Sequence, residues 1–437
     1  MTKPPGRTAW TAVLCWLTVL LEGYDLVALG ATIPTLLRTG HLGFTPAGAT
    51  AVATVSLVGV GIGAACIGPL TDRFGRRLTL IGSVLLFSVF TLLIPLSASV
   101  AMFGAFRFVA GLGLGACMPV ALTMMSENLP ERRRASANTI TMTGYHVGAV
   151  LTSLLALAVV GDWHVLFYGG GVAGLVVLPL MWARLPESAA FLAARESGAG
   201  ERVRPRDLLG PRFRRISVTV WVGSFMGLLL VYGLNTWLPQ LMATAGYPIT
   251  TSIALLLVLN VGAIAGLLVA GAVADRFGIG RVAVIWFAAA AVLLAGLSLR
   301  VGSEVVLNLM VLLTGVFVFS AQVLIFGFVA HSFPAGARGT ALGLTSAVGR
   351  IGSIVGPFVT GALVTAGVAY PWGFWFFAAV AVLGLAAMAS VAGRRAPVTA
   401  ATTCGVHACT RRGGGGGALQ PHPRDRPGAP LHRRPPG

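Results

Sequence analysis

Apolar residues run in long blocks broken by short polar intervals, and the blocks recur along almost the whole chain. Twelve stand out, at roughly 11–37, 47–70, 78–97, 100–124, 136–160, 164–184, 216–242, 251–274, 282–300, 304–329, 339–367 and 372–392. Each holds about 18 residues or more, enough for an α-helix to cross a hydrocarbon core of about 30 Å. Pro46, Pro95 and the Gly302–Ser303 turn are weak separators between neighbouring blocks. The pattern predicts an all-α membrane protein with twelve transmembrane helices. Composition agrees: 56% hydrophobic, 10% charged and a mean hydropathy of +0.85 exclude a soluble protein.

A formal net charge of +18 suggests nucleic acid at first sight, but its placement argues otherwise. With the N-terminus cytoplasmic and twelve alternating spans, Lys3, Arg7, Arg73, Arg76, Arg77, Arg132, Arg133, Arg134, the arginines from Arg184 to Arg215, Arg276, Arg281 and Arg338 all fall inside, and only Arg38 and Arg300 in outside loops. This is the positive-inside rule. It makes a nucleic-acid partner unnecessary and puts both termini on the cytoplasmic side of a cell membrane. The first block is too long for a cleavable signal peptide and carries two acids, so it reads as a permanent span. Cys15, Cys66 and Cys117 lie in spans and read as packing thiols. Cys404 and Cys409, flanking His407, fit no standard zinc spacing. From about Arg394 the chain turns to Gly, Pro, Arg and His, a composition that cannot bury a core and predicts a disordered tail over 394–437.

The chain also repeats itself. Asp72-Arg73-Phe74-Gly75 recurs as Asp275-Arg276-Phe277-Gly278, and Pro130 and Arg134 recur as Pro334 and Arg338, at an offset of about 204 residues. Such an offset spans six helices, an even number, so the halves keep one membrane orientation and are related by an axis along the membrane normal. The expected organisation is a six-helix bundle over 1–184, a cytoplasmic linker over 185–215 and a second six-helix bundle over 216–393.

Several motifs then carry a resemblance. Gly68-Pro69-Leu70-Thr71-Asp72-Arg73-Phe74-Gly75-Arg76-Arg77 resembles the loop 2–3 signature of the major facilitator superfamily, and Gly271 to Arg281 is its degenerate copy. Arg107 with Gly111, Gly113 and Gly115 resembles that superfamily's fourth-helix motif, and Leu185-Pro186-Glu187-Ser188 the signature after helix six in its sugar-porter-like members. Within the superfamily, Glu22-Gly23-Tyr24-Asp25 resembles the first-helix motif of the aromatic acid:proton symporters, with Glu22 where that family usually has Asp. Trp237-Leu238-Pro239, Gln322 and the run from Gly349 to Pro357 match the same family's pattern. The resemblance covers about residues 8–393 and implies a transporter that rocks two bundles around a central site.

Glu22 and Asp25 are the two of 13 acidic residues that lie well inside a span. A charge at that depth costs about 2.5–3.5 kcal/mol on insertion scales, so such acids are functional candidates by default. Three residues apart, they share one helix face and suit proton coupling; a structural pair with a buried arginine is the alternative. Arg350 lies twelve residues beyond Arg338, about 18 Å into its span, and needs an anion: Asp25 or Glu22 at rest, a substrate carboxylate in transport, or a static pair. His146 sits opposite Arg350 in the repeat, which predicts that both face one cavity. Beside Tyr145 it can hydrogen-bond a phenol or carboxylate, or simply pack. For Arg107 the resemblance implies a coupling or helix-contact role.

Glycines spaced by two, at 59, 61 and 63 and again at 111, 113 and 115, read as close helix packing. Trp237, Tyr232, Asn235, Gln240, Asn260 and Gln322 put aromatic and polar groups at depth for an aromatic substrate. Asp72, Arg73, Gly75, Arg76, Arg77, Asp275 and Arg276 are expected to hold one closed state at the cytoplasmic face. The resulting expectation is a proton-coupled importer of a small aromatic carboxylate, acting as a monomer without cofactor, metal or covalent chemistry. The rival readings are a carrier of a non-aromatic acid or a sugar, a drug:proton antiporter, and a non-transporting sensor.

Overall fold

The computed structural model describes residues 5–128, 131–159, 161–188, 191–192, 208, 210–211, 213–333 and 335–392, and the side chains of all of these except 5–8, 68–69, 72, 126, 128, 131–139, 335–339 and 392. Twelve helices are long and apolar enough to cross a membrane. They are α1 (Ala9–Thr39), α2 (Pro46–Ile67), α3 (Arg73–Leu96), α4 (Val100–Met125), α5 (Ile140–Ala158), α6 (His164–Arg184), α7 (Arg214–Thr244), α8 (Ile249–Phe277), α9 (Ile279–Gly296), α10 (Glu304–Ser332), α11 (Thr340–Thr365) and α12 (Ala369–Val391). Where an end differs from the hydrophobic block, the helix mostly runs on past the apolar run, as α3 does by beginning at Arg73.

The separators act through ordinary helix-end chemistry. Thr45 caps the helix that Pro46 opens, its Oγ1 accepting from the Gly48 N–H at 3.1 Å. Ser303 does the same for α10. Pro95 sits in a 3-10 turn over Ile94–Leu96. Between α2 and α3 the chain stays helical except at Gly75, whose φ of 84° belongs to the region that suits glycine alone. Gly278, with φ 90°, turns the chain between α8 and α9 in the same way. The last letter of each Asp-Arg-Phe-Gly copy is thus a sharp corner.

The repeat is carried by the packing as well as by the loops. α2 packs on α4 as α8 packs on α10, and α1 on α5 as α7 on α11. A Cβ on Gly59 of α2 would overlap the Phe108 carbonyl of α4, and one on Gly262 of α8 would overlap the Leu312 carbonyl of α10. Lipid tails are as apolar as leucine, so helices associate by close backbone approach, which these glycines permit. The first six helices meet the last six through α1–α7, α2–α11 and α5–α8.

The outer surface is apolar, with Val292 of α9 73% and Val176 of α6 68% exposed, as a lipid-facing wall should be. Inside, buried hydroxyls turn back on their own helix: Thr18 Oγ1 donates to the Leu14 carbonyl at 2.8 Å and Thr360 Oγ1 to that of Gly356 at 2.9 Å. Cys15 and Cys117 are buried. Cys66 corrects the packing-thiol expectation: it is exposed on α2, because its face of the helix turns outward. The tail over 394–437 with Cys404, His407 and Cys409, most of the 185–215 linker, Pro130 and Pro334, and the side chains of Arg134 and Arg338 lie outside the described residues.

Gly59→Val and Gly262→Val are expected to destabilise the purified protein by about 1–3 kcal/mol through overpacking, while Gly82→Ala, where a Cβ meets nothing within 4 Å, leaves stability unchanged. Thermal melts in one detergent would check all three.

Candidate functional site

The two acids of α1 meet different partners. Asp25 Oδ2 accepts from Arg107 Nη1 at 2.8 Å, and both side chains are 1% exposed. Thr91 of α3 donates to the other Asp25 oxygen at 2.9 Å, and Arg107 also reaches the Asp25 carbonyl at 3.4 Å. Asp25 is therefore clamped between α3 and α4. Glu22 is fully buried, and among the described residues no side chain hydrogen-bonds its carboxyl oxygens, the backbone of Met118 being the polar group beside them. Its electrostatic neighbours are Arg350, Tyr145 and Tyr232. Sequence left the resting partner of Arg350 open between Asp25 and Glu22. In the structure Arg350 Nη1 donates to Tyr232 Oη at 2.8 Å, and among the described residues no carboxylate pairs with it.

Arg350 lines a cavity of about 450 Å³, within the range of small-ligand sites. Helices α4, α5, α7, α8, α10 and α11 all contribute. The polar lining is Tyr145, His146, Tyr232, Gln322, Ser346 and Arg350, and the rest is apolar, with Met118, Leu122, Phe319 and Phe326 prominent. Leu342 and Ala330 carry the lining toward the ends of α11 and α10 at the face that bears Arg73 and Arg276. In the other direction the path stops at Tyr145 and Tyr232. Both line the cavity on one side and, with Leu26, Leu29 and Asn235, a void of about 10 Å³ on the other. Tyr145 Oη is buried without a partner.

His146 closes the same ceiling from α5. Its Nδ1 lies 3.1 Å from Asn260 Oδ1 of α8, and Asn260 Nδ2 donates to Asn235 Oδ1 of α7 at 3.0 Å. Gln322 of α10 donates to Ser224 Oγ of α7 at 3.0 Å. Trp237 does not join this lining. It is fully buried, donates to the Pro357 carbonyl at 2.9 Å and abuts Gly361 of α11. It lies five residues past Tyr232, beyond the ceiling, and packs against helix rather than void.

At the basic face, Gly75 is the centre of a network that has no equivalent at Gly278 among the described residues. The Glu187 carboxylate accepts from the backbone N–H groups of Arg76 at 2.9 Å and Arg77 at 3.2 Å, capping the helix restarted after Gly75. A Cβ on Gly75 would overlap that carboxylate. Arg76 pairs with Glu127 at 3.4 Å, Ser188 donates to the other Glu127 oxygen, and the Arg76 guanidinium lies 5.0 Å from the Phe191 ring centre. Arg73 stacks over Phe74, and Arg276 over Phe277. Asp275 and Arg276 are exposed. The Asp72 side chain lies outside the described residues. Glu127 was missed by sequence reading because it ends α4 in no recognisable pattern; Glu187 was visible only as part of a signature.

The sequence profile for the Major Facilitator Superfamily matches residues 15–357 and again 261–405. A gentisate transporter of Corynebacterium glutamicum is 35% identical over 390 residues, covering 88% of this chain and 87% of that one. A 4-hydroxybenzoate transporter of Pseudomonas aeruginosa is 31% identical over 405 residues, covering 85% and 89%. A gallate transporter of Pseudomonas putida is 29% identical over 399 residues, covering 84% and 88%. Among solved structures, a D-xylose-proton symporter superposes with a TM-score of 0.71 at 19% identity, covering 87% of this chain and 97% of that one. An inward-facing, unoccupied bacterial homologue of the human lysosomal transporter Spinster gives 0.64 at 17%, covering 89% and 95%. At these identities the two structures speak for the fold alone.

Removing one member of a buried ion pair strands the other and costs about 3–5 kcal/mol. Asp25→Leu and Arg107→Met are each expected to destabilise on that scale, and the double variant to recover most of the loss. A double-mutant cycle on thermal stability checks the coupling.

Proposed function

The chain belongs to the Major Facilitator Superfamily, and from that premise we propose that it is a proton-coupled importer of a small aromatic carboxylate, working by alternating access. It is a multi-pass membrane transporter related to aromatic-acid carriers, and not an enzyme. The observation that carries the finer reading is Arg350. It is a guanidinium at membrane depth with no carboxylate partner among the described residues, facing a cavity walled by aromatic and aliphatic side chains. A cation so placed calls for an anion, and its planar fork suits a carboxylate. Tyr145, Tyr232, Phe319 and Phe326 supply ring-sized apolar faces beside it. The names of the sequence relatives, which concern gentisate, 4-hydroxybenzoate and gallate, support the same substrate class.

Proton coupling follows from the Glu22–Arg350 neighbourhood. Protonated, Glu22 is neutral and leaves the full field of Arg350 to a substrate carboxylate. Ionised, it competes for that cation and favours release. The Asp25–Arg107–Thr91 cluster is the rigid frame that ties α1 to α3 and α4 while Glu22 exchanges its proton. Two bodies, 1–184 and 216–393, rock about the site. The Glu187–Arg76–Glu127 network stiffens the basic face of the first body. The N-terminus and the basic face are cytoplasmic by the positive-inside distribution, the membrane is the cell membrane, and one copy of the chain suffices, since the cavity is complete within it.

Reconstituted vesicles with an imposed pH gradient, given labelled aromatic acids, sugars and cationic drugs, test the reading. Accumulation of an aromatic acid driven by an inward proton gradient is expected; accumulation of a sugar or expulsion of a drug, with no aromatic acid moved, overturns it. Glu22→Gln is expected to abolish gradient-driven accumulation while keeping substrate counterflow, because the amide mimics the loaded acid. Arg350→Lys, which keeps the charge but loses the fork, is expected to raise apparent KM for uptake by about tenfold, the equivalent of one charge-assisted hydrogen bond.

A further inference from the structure

Unpaired polar atoms gather around the small void beyond the cavity ceiling. Ser56 of α2, Arg107 of α4, Tyr145 of α5 and Asn235 of α7 all line it, and each is at most 5% exposed. Among the described residues, Ser56 Oγ, Arg107 Nε, Tyr145 Oη and Asn235 Nδ2 have no hydrogen-bond partner. Buried polar groups are nearly always paired, so four orphans around one void call for a common cause. Arg107 Nε can only donate. So can the free end of Asn235: Asn260 Nδ2 donates to the Leu256 carbonyl at 3.1 Å, which fixes the Asn260 amide, and also to Asn235 Oδ1 at 3.0 Å, which leaves Nδ2 of Asn235 unpaired. One obligate donor thus comes from each half of the molecule, and two donors cannot satisfy each other. The hydroxyls of Ser56 and Tyr145 can donate or accept.

Size and charge narrow what the void takes. About 10 Å³ is room for one water, and a halide or a carboxylate is larger. The Arg107 charge is already met by Asp25 at 2.8 Å, so an anion here would stand beside a buried carboxylate with no cation left for it. We propose that this void is a built site for one ordered water, which accepts from Arg107 Nε and Asn235 Nδ2, donates to Ser56 Oγ and Tyr145 Oη, and so latches the first six helices to the last six on the side where the path is closed. The site owes nothing to the aromatic-carboxylate reading. The latch rests on the two-body reading above and adds a neutral contact that both bodies share. Opening on that side dissolves the site, and bulk water takes over each of its partners.

The site is tested by a density map of the unmodified full-length protein at a resolution that shows waters. A peak within about 3.2 Å of Asn235 Nδ2 and of at least two of the other three atoms is expected. No peak, a peak that touches only the first six helices, or side chains that turn to pair with one another overturns the inference. So does a peak that disappears when chloride is exchanged for gluconate, which marks an anion. The latch is tested by spin-label distances between Thr39→Cys, at the end of α1, and Thr244→Cys, at the end of α7, with Cys66, Cys404 and Cys409 replaced by serine. Ser56→Val fills the void with a branched apolar side chain and expels the water, whereas Ser56→Ala leaves room for it. The widely separated population is expected to be about fivefold or more larger in Ser56→Val than in Ser56→Ala. Equal distributions overturn the latch. The map of the unmodified protein decides whether the water bridges the halves even if Ser56→Val does not fold.

Discussion

The cost of an ionised group away from water governs the layout of this molecule. Among the described residues, the charged side chains in the middle of the spans are Glu22, Asp25, Arg107 and Arg350. Their formal charges cancel, yet they are not spent as two equivalent pairs. Asp25 and Arg107 close on each other at 2.8 Å with Thr91 on the remaining oxygen, and so satisfy one another locally. Glu22 and Arg350 are electrostatic neighbours that form no ion pair, with Tyr232 accepting from the guanidinium. The first arrangement is stable because it is complete. The second is usable because it is not: a missing hydrogen bond on a buried acid and a missing anion on a buried cation are places where a proton and a substrate can be worth several kcal/mol.

The repeat makes this asymmetry easier to see. Helix packing is duplicated down to individual glycines, since Gly59 and Gly262 meet carbonyls of the corresponding partner helices. The chemistry is not duplicated. Asp25, Thr91 and Arg107 have Leu229, Ala295 and Val311 as their counterparts at the 204 offset, a polar cluster exchanged for an apolar one. His146 answers to Arg350, a ring that accepts to a fork that only donates. Two copies of one scaffold thus bring unlike groups to the two sides of one cavity.

Depth along the membrane was legible in sequence; rotation about each helix was not. Counting residues from the span ends put Glu22 and Arg350 level, and the offset put His146 opposite Arg350. Residues three apart on a helix differ by about 60° in azimuth, enough for Glu22 and Asp25 to meet different neighbours, and no periodicity in an apolar span fixes that angle. Trp237 is the exception on depth, since it lies past the ceiling and packs against Pro357 and Gly361. The corner at Gly75 shows only in its backbone, with φ 84°, but the loop motifs were legible as motifs. Glu127 was not, because an acid at a helix end looks like any solvated acid until Arg76 and Ser188 are seen around it.

The ceiling of the cavity is also where the proposed alternating access acts. Tyr145 and His146 come from α5, Tyr232 and Asn235 from α7, and Asn260 from α8, so both the first six helices and the last six close the path, and the His146–Asn260 contact crosses between them. Under the proposed alternating access, opening on that side separates His146 from Asn260 and Tyr145 from Tyr232. That leaves an asparagine oxygen and a phenol for water to take over. Neither contact is an ion pair, so the separation strands no charge, whereas Asp25 and Arg107 lie within one body and need never part. The hydrogen-bonded ion pair thus lies within the first six helices, while the hydrogen bond at the ceiling that crosses between the halves is neutral.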